Sequence, residues 1–476
     1  MQEGFKMASE DKFIKMTTTP IPKLVVSLAV PTIISMLVTS FYNMVDTYFV
    51  GKINTEATAA VGVVFSMMAV IQALGFTFGH GSGTLLARKL GERENEEAER
   101  VANAGFFFSI ICGICVTVLG LCFLRPLSYF LGATDNSIDY VMDYMRIILI
   151  GAPFIMSSFV LNNQLRYQGR AMFSMIGILI GAVLNLILDP LLIFTFQMGI
   201  KGAAYATIIG QIVSFIVLLF LTHNKGNIPI TLKRNPFVMR LFFPIFSAGM
   251  PSLFRQGLAS ISVMLLNRTI GSVAGTAELA DAAIAGMSIV SRITMFANSA
   301  LIGFGQGFQP VCSYNYGAKL YGRVREAFWF CVKVAAVFLL GVSLVGIFGA
   351  EFLVQLIRKD DIEVMKIGVF ALRAQATTFT LGAWIVMCNM MLQACGQSLM
   401  ASIVASCRQG VCLIPLLLTL PYFMGVTGVQ IAQPISDVIT LIVSLVFGLY
   451  FLNKMKKMET VSVKTAEKPE EAELKE

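Results

Sequence analysis

Histidine and charge are the scarcest features of this sequence. Two histidines, His80 and His223, stand among 476 residues, too few for a histidine-rich metal centre. Charged residues make up 13%, against about 25% in a soluble globular chain, while 56% are hydrophobic. A soluble domain is excluded, and the chain reads as a polytopic membrane protein. A cleavable signal peptide is missing too, because residues 1–22 are polar and the first apolar run is longer than a signal h-region. The nine cysteines are an odd number. They sit almost entirely inside apolar runs (Cys112, Cys115, Cys122, Cys331, Cys388, Cys407, Cys412), which argues against a disulfide framework. Cys112-x-x-Cys115 has no second pair, and core packing explains it better than metal or redox chemistry. The run Gly79-His-Gly-Ser-Gly83 lacks the Lys-Ser/Thr of a phosphate loop; at a membrane helix end it serves close packing or bending. No nucleophile, base and metal set clusters anywhere, so no enzyme and no cofactor is expected.

What is present is apolar length. Twelve segments approach the roughly 20 residues that a span needs: 24–50, 57–80, 101–124, 141–165, 171–195, 202–222, 241–267, 282–311, 326–349, 367–394, 400–424 and 429–452. The net charge of +8 is spread over short loops, which fits membrane topology and not nucleic-acid binding. Arg88, Lys89, Arg93 and Arg100 follow the second segment, Arg166 and Arg170 the fourth, Lys225, Lys233, Arg234 and Arg240 the sixth, and Lys319, Arg323 and Arg325 the eighth. The opposite loops hold few cations, among them Lys52, Arg125, Lys201, Arg268, Arg358, Lys359 and Lys366. Both termini are therefore expected in the cytoplasm.

The halves repeat at an offset of roughly 220 to 227 residues. Pro31 answers Pro251, Gly79-His-Gly81 answers Gly305-Gln-Gly307, Gly169 answers Gly396, and Met198-Gly-Ile-Lys-Gly202 answers Met424-Gly-Val-Thr-Gly428. Six helices per half keep the two copies in one orientation. The expected fold is an all-α membrane protein of 12 transmembrane helices in two pseudo-symmetric six-helix lobes. Its parts are a cytoplasmic N-terminal tail (1–22), an N-lobe (23–222), an inter-lobe linker (223–240), a C-lobe (241–453) and a disordered cytoplasmic tail (454–476).

Inside these runs, Asn185-Leu-Ile-Leu-Asp189-Pro190 needs an explanation. An Asp at a membrane helix centre costs roughly 2.5 to 3.5 kcal/mol on insertion scales, so it tends to line a cavity, pair with a cation or relay a proton. Asn185 lies one turn earlier on the same face, and Pro190 frees a carbonyl and bends the chain. Asp46 and Asp189 both fall roughly 7 to 9 Å below the outer surface at 1.5 Å per residue, and Thr207 reaches the same level. The pattern suggests an ion or proton site; the competing reading is a carboxylate satisfied by a neighbouring helix. Asp437, near Pro434, is open to the same two readings. The repeat partners of Asp46 and Asp189 carry no charge, so coupling is expected in the N-lobe. The C-lobe instead embeds Arg255, Arg292, Arg373 and Arg408, of which Arg255 beside Gln256 and Arg292 beside Ser291 are the candidates for a substrate path. Tyr42, Asn43, Tyr144, Asn162, Asn163, Gln164 and methionines such as Met287 are candidates to line an adaptable cavity.

Taken together, Ala-Val-Pro31-Thr, Asn43-Met-Val-Asp46-Thr-Tyr-Phe-Val-Gly51, the Gly-rich second segment with Ala-Arg-Lys-Leu-Gly91, Asn185-x-x-x-Asp189-Pro190 and Gly199-x-x-Gly202-Ala-Ala-x-Ala-Thr207 resemble the MATE (multidrug and toxic compound extrusion) exporters over residues 20–453. Asp46 together with Gln256, where other branches carry a glutamate, is similar to the DinF branch and its MepA-like members. The resemblance implies a secondary antiporter that expels amphipathic organic cations and drugs against H+ or Na+ by alternating access. It implies that Asp46, Asn185, Asp189 and Thr207 bind the coupling H+ or Na+, with Tyr144 beside them. The implied setting is the cytoplasmic membrane of a bacterium or archaeon, where the chain works as a monomer in the lipid bilayer. A lipid-linked oligosaccharide flippase of the same superfamily is the alternative, which the embedded arginines keep open. A passive channel is disfavoured by the two-lobed repeat.

Overall fold

Lipid offers no partner to a backbone N–H or C=O, so apolar runs of this length satisfy themselves as helices. The computed structural model describes residues 2–53, 55–224, 226–231, 239–273, 275–357 and 361–473, and no strand occurs among them. The first half contains α1 (Gln2–Thr18), α2 (Ile21–Gly51), α3 (Thr55–Gly91), α4 (Asn95–Cys122), α5 (Leu124–Phe130), α6 (Ile138–Tyr167), α7 (Ala171–Pro190), a π-helical turn (Leu191–Thr195) and α8 (Ile200–Thr222). The second contains α9 (Phe242–Val273), α10 (Ala277–Gly317), α11 (Tyr321–Phe348), α12 (Ala350–Gln355), α13 (Ile362–Thr378), α14 (Leu381–Ala394), α15 (Ser398–Ser406), a π turn (Cys407–Val411), α16 (Leu413–Met424) and α17 (Val426–Glu473). Ten spans are long and apolar enough to cross a membrane, and α13 with α14, bent by 56°, makes an eleventh. Helix α9, 32 residues long, is the twelfth; Arg255 and Gln256 dilute its apolarity.

The repeat is visible in the backbone. Gly169 and Gly396 both have φ of 78°, and Gly199 and Gly425 have 56° and 60°, left-handed geometry that glycine adopts without a Cβ penalty. Arg93 and Lys319, at 61° and 59°, repeat the same turn with ordinary side chains, again about 226 residues apart.

Several boundaries differ from the sequence expectation. Helix α3 continues to Gly91, so Gly79–Gly83 lies well inside a helix and not at its end. Leu85 to Leu90 are strong helix formers, and Leu86, Ala87 and Leu90 are buried. Arg166 ends α6 as a side chain only 1% exposed, not as a loop cation. The 367–394 segment breaks at Phe379–Thr380, after Thr377 and Thr378 turn their hydroxyls onto the carbonyls of Ala374 and Gln375 at 2.7 and 3.1 Å, a competition that bends helices. Cys115 is exposed and Cys112 only half-buried, so that pair is not core.

The termini are corrected as well. Residues 2–18 form α1, because Phe13, Met16 and Thr17 present one face to the bundle. The Met16 carbonyl accepts from Asn315 Nδ2 at 3.2 Å, and the rings of Phe13 and Tyr314 lie 6.0 Å apart. Residues 455–473, expected as part of a disordered tail, are described as a continuation of α17; Glu459 there pairs with Arg325 at 3.0 Å. The start of the 223–240 segment is pinned by Ile228 N–H donating to Gln168 Oε1 and Thr231 N–H to Asn103 Oδ1, both at 2.8 Å. Its residues 232–238, with Lys233 and Arg234, and the loop cations Lys225, Arg358 and Lys359 lie outside the described residues.

The halves meet on the side that bears both termini. Helix α2 packs on α10 and α3 on α9, and glycines set the approach. A Cβ on Gly81 would collide with the Ile245 carbonyl, one on Gly249 with Thr77, and one on Gly317 with Arg88. Gly303 lies so near Ile33 that a Cβ would stand 2.7 Å from its Cα. Toward the other side, Gly51, Gly62 and Gly271 have open space beside them. The close glycine approaches between the halves thus lie on the terminus side, with none at these three positions.

Candidate functional site: a two-signed central cavity

Between the halves lies a cavity of about 480 Å3, within the range of small-molecule sites. Tyr42, Asn43, Asn162, Asn185, Thr207 and Gln211 line it from the first half, and Arg255, Gln256, Ser299 and Gln306 from the second. Gln164, Met287 and Arg292 do not. Gln164 is spent inside the first half, donating to Ser82 Oγ at 3.0 Å and the Ala102 carbonyl at 2.9 Å. Met287 belongs to a separate apolar cluster with Ala283 and Val290, and Arg292 is exposed. Their sequence neighbours are polar, but helix phase turns them away.

On the first-half wall, α7 packs against α2 and α8. The α7–α8 approach depends on two glycines: a Cβ on Gly210 would stand 2.8 Å from the Gly181 carbonyl oxygen and 3.3 Å from Asn185 Cβ. That closeness sets Thr207 of α8 beside α7. Asp189 is fully buried, Asn185 is 3% and Thr207 5% exposed, and Asp46 is half-buried. The carboxyls of Asp46 and Asp189 are within hydrogen-bonding reach of each other. Asn185 Nδ2 donates to Asp189 Oδ1 at 3.4 Å. Tyr144, 1% exposed, stands beside Thr207. Neither acid lines the cavity; Asn185 and Thr207 do, and the acids lie behind that wall. Three buried oxygens, Asp46 Oδ1, Asn185 Oδ1 and Asp189 Oδ2, have no hydrogen-bond partner, which buried polar atoms rarely tolerate. Three side chains with unspent acceptor oxygens, next to the Thr207 hydroxyl, suit a proton or a small hard cation. Among the described residues no group of three or more His, Cys, Asp or Glu side chains gathers as a metal site.

Pro190 has no N–H for the carbonyl of Leu186, and the ladder relaxes into the π turn that follows, closed by Phe196 N–H on the Leu191 carbonyl at 3.0 Å. Asp437 is different in kind. Its Oδ1 accepts from Arg408 Nε and Gln433 Nε2, both at 3.1 Å, and its Oδ2 from Thr378 Oγ1 at 3.5 Å. It is a satisfied carboxylate with a resident counterion.

Sequence reasoning named Arg255 and Gln256 but missed the other residues of the cavity floor. His80 and Gln306 line it, and Arg166 stands against both, donating to Gln306 Oε1 at 2.7 Å and to Asn163 Oδ1, with His80 Nε2 3.4 Å away. The signal was Asn162-Asn163-Gln164-x-Arg166 itself: Arg166 is one turn beyond Asn163, and counting it as a loop charge hid that.

Long apolar helices in two halves around a central cavity lined from both are the build of a membrane transporter. Comparison narrows the class. The MatE family model matches residues 31–191 and, a second time, 251–419. The multidrug export protein MepA of Staphylococcus aureus (strain MRSA252) is 28% identical over 423 residues, 86% of this chain and 90% of its own. A MOP superfamily transporter from Pyrococcus furiosus, described as having a binding pocket of reverse polarity that suggests a different function, superposes with a TM-score of 0.86 at 26% identity, covering 93% of this chain and 98% of that one. A multidrug resistance MATE family transporter in an outward-facing conformation gives the same TM-score, identity and coverage. The chain belongs to the MatE family, and within it to the MepA-like type.

Proposed function

We propose that this chain is a secondary multidrug exporter that expels amphipathic organic cations and drugs in exchange for H+ or Na+ by alternating access. The observation that carries this reading is the facing pair Asp46 and Asp189, whose unpartnered oxygens lie behind a cavity wall made by Asn185 and Thr207. A cation arriving from outside neutralises the pair, and the first-half wall then rearranges so that the bound drug is released. Four side chains divide the work: Asp46 and Asp189 supply charge, Asn185 and Thr207 neutral oxygens, and Tyr144 holds Thr207. Tyr42, Asn43, Asn162 and Gln256 contact the drug.

The halves 23–222 and 241–453 act as lobes joined by the 223–240 linker, moving against each other about the glycine-lined contact. Both termini lie in the cytoplasm, the membrane is the inner membrane of a bacterium or archaeon, and one chain is the working unit. The MepA relatives support the drug spectrum.

Ethidium efflux from cells expressing the chain, measured with a proton gradient, with a sodium gradient and with neither, tests the reading. Efflux that collapses with one gradient identifies the coupling ion; efflux indifferent to both overturns antiport. A lipid-linked oligosaccharide flippase is the second reading, favoured only by the cationic cavity floor. It requires lipid-linked sugar to cross reconstituted membranes while ethidium does not.

A further inference from the structure

The cavity floor has the opposite sign from its first-half wall. Arg255 lines it beside Gln256, Gln306 and His80, yet its guanidinium reaches only neutral groups, Asn389 Oδ1 at 3.2 Å and Ser252 Oγ at 3.4 Å. Charge-assisted bonds run shorter, about 2.7 to 2.9 Å. Arg166, held by Gln306, Asn163 and His80, has neutral partners as well. Among the described residues neither arginine forms an ion pair. Buried cations are ordinarily paired, and the same half shows this habit where Arg408 meets Asp437 at 3.1 Å. Two cations without carboxylates, the buried Arg166 and the half-buried Arg255, give one end of the cavity a surface complementary to an anion. The walls above them carry Phe65, Phe76, Phe159 and Met295, so the complementary molecule has an apolar, aromatic body.

We propose that Arg255, backed by Arg166, is an anion-binding subsite that receives the carboxylate or phosphate of an amphipathic substrate. This rests on the reading that the cavity holds the transported molecule, and it adds that the molecule carries a negative group at its inner end. A purely cationic drug uses the walls alone.

The test uses the full-length protein in phosphatidylcholine nanodiscs and two probes, a rhodamine dye with a free carboxylate and the methyl ester of the same dye, so that one charge separates them. Fluorescence polarisation on wild type gives an affinity about tenfold higher for the free acid, a gap of one good charge-assisted contact. R255Q erases the difference and leaves the ester within about twofold, whereas R255K retains most of it and guards against misfolding as the cause. Equal affinities in wild type, or an equal loss for both dyes in R255Q, overturn the subsite while leaving the export reading intact. Wild type that binds neither dye overturns the export reading and the subsite with it. Repeating the titration with phosphatidylglycerol in the nanodisc separates two sources of the anion. Competition in wild type but not in R255Q identifies a lipid headgroup, and an unchanged difference identifies a soluble amphiphile.

Discussion

Asp46 on α2 and Asp189 on α7 hold their carboxyls within hydrogen-bonding reach, and each keeps one buried oxygen without a partner. Two adjacent carboxylates repel by about 4 kcal/mol at 4 Å and an effective dielectric constant near 20. A proton or cation shared between them removes that repulsion, and this links ion binding to the geometry of two helices. Asp437 shows the contrast, since Arg408 already neutralises it at 3.1 Å.

If Asp189 carries the proposed coupling role, replacing it by Asn removes the titratable carboxyl and keeps the shape. Ethidium efflux is expected to fall at least tenfold while the amount of protein in the membrane is unchanged. Normal efflux in Asp189→Asn sinks the coupling role.

The Arg408–Asp437 pair is a stability element. Its side chains are 20% and 5% exposed, and removing one partner strands a buried charge at a cost of about 3 to 5 kcal/mol. Arg408→Met is expected to lower the thermal midpoint in detergent by several degrees, and Arg408→Met with Asp437→Leu to recover most of it. A double variant as unstable as the single one contradicts this account.

Helix α9 offers a matched pair of glycines. A Cβ on Gly249 would collide with the backbone of Thr77, whereas one on Gly257 meets nothing within 4 Å. Gly249→Ala should destabilise the contact between the halves and slow transport. Gly257→Ala should be neutral or stabilising by about 0.5 kcal/mol, as expected for Gly to Ala in a helix. Thermal unfolding of the two variants side by side checks the difference; equal melting would mean that the close approach at Gly249 has no energetic weight.

Lys12 gives the N-terminal helix a pH dependence. Its Nζ donates to the Gly226 carbonyl at 3.0 Å, and burial, with Arg170 nearby, pushes its pKa down from the usual 10.5 to about 7. Docked α1 then binds fewer protons than undocked α1 between these values, so docking strengthens as pH rises from about 7 toward 10.5 and is weakest below 7. Hydrogen exchange of residues 2–18 at pH 7 and pH 9, corrected for intrinsic rates, should show added protection at pH 9 that Lys12→Met abolishes. Equal protection at both pH values in wild type rules the effect out.

Much of the fold was legible because membrane helices announce themselves by length and apolarity, and the proline and glycine echoes revealed the repeat. The acid side of the site was legible for a related reason: Asp46 and Asp189 are conspicuous in hydrocarbon. Of the cationic floor only Arg255 was legible, as an arginine inside an apolar run; Arg166 was not. Arg166 sits where a span meets a loop, and only packing reveals that it turns inward to Gln306 of the other half. Helix phase likewise decided Gln164 and Arg292, whose neighbours pointed toward a cavity that their own side chains do not reach. Helix α1 escaped notice because its bundle-facing side holds only Phe13, Met16 and Thr17 in an otherwise charged stretch.

That helix grips both halves. Arg93 lies over Phe13 at 4.2 Å and Lys12 reaches Gly226 on one side, while Asn315 holds Met16 and Arg323 donates to the Thr19 carbonyl at 2.6 Å on the other. Any parting of the halves at that face must first peel α1 from one of them. Under the proposed exchange mechanism this clasp sets part of the turnover rate, and the length and charge of residues 2–18 are expected to retune that rate without altering which ion or molecule is bound in the cavity.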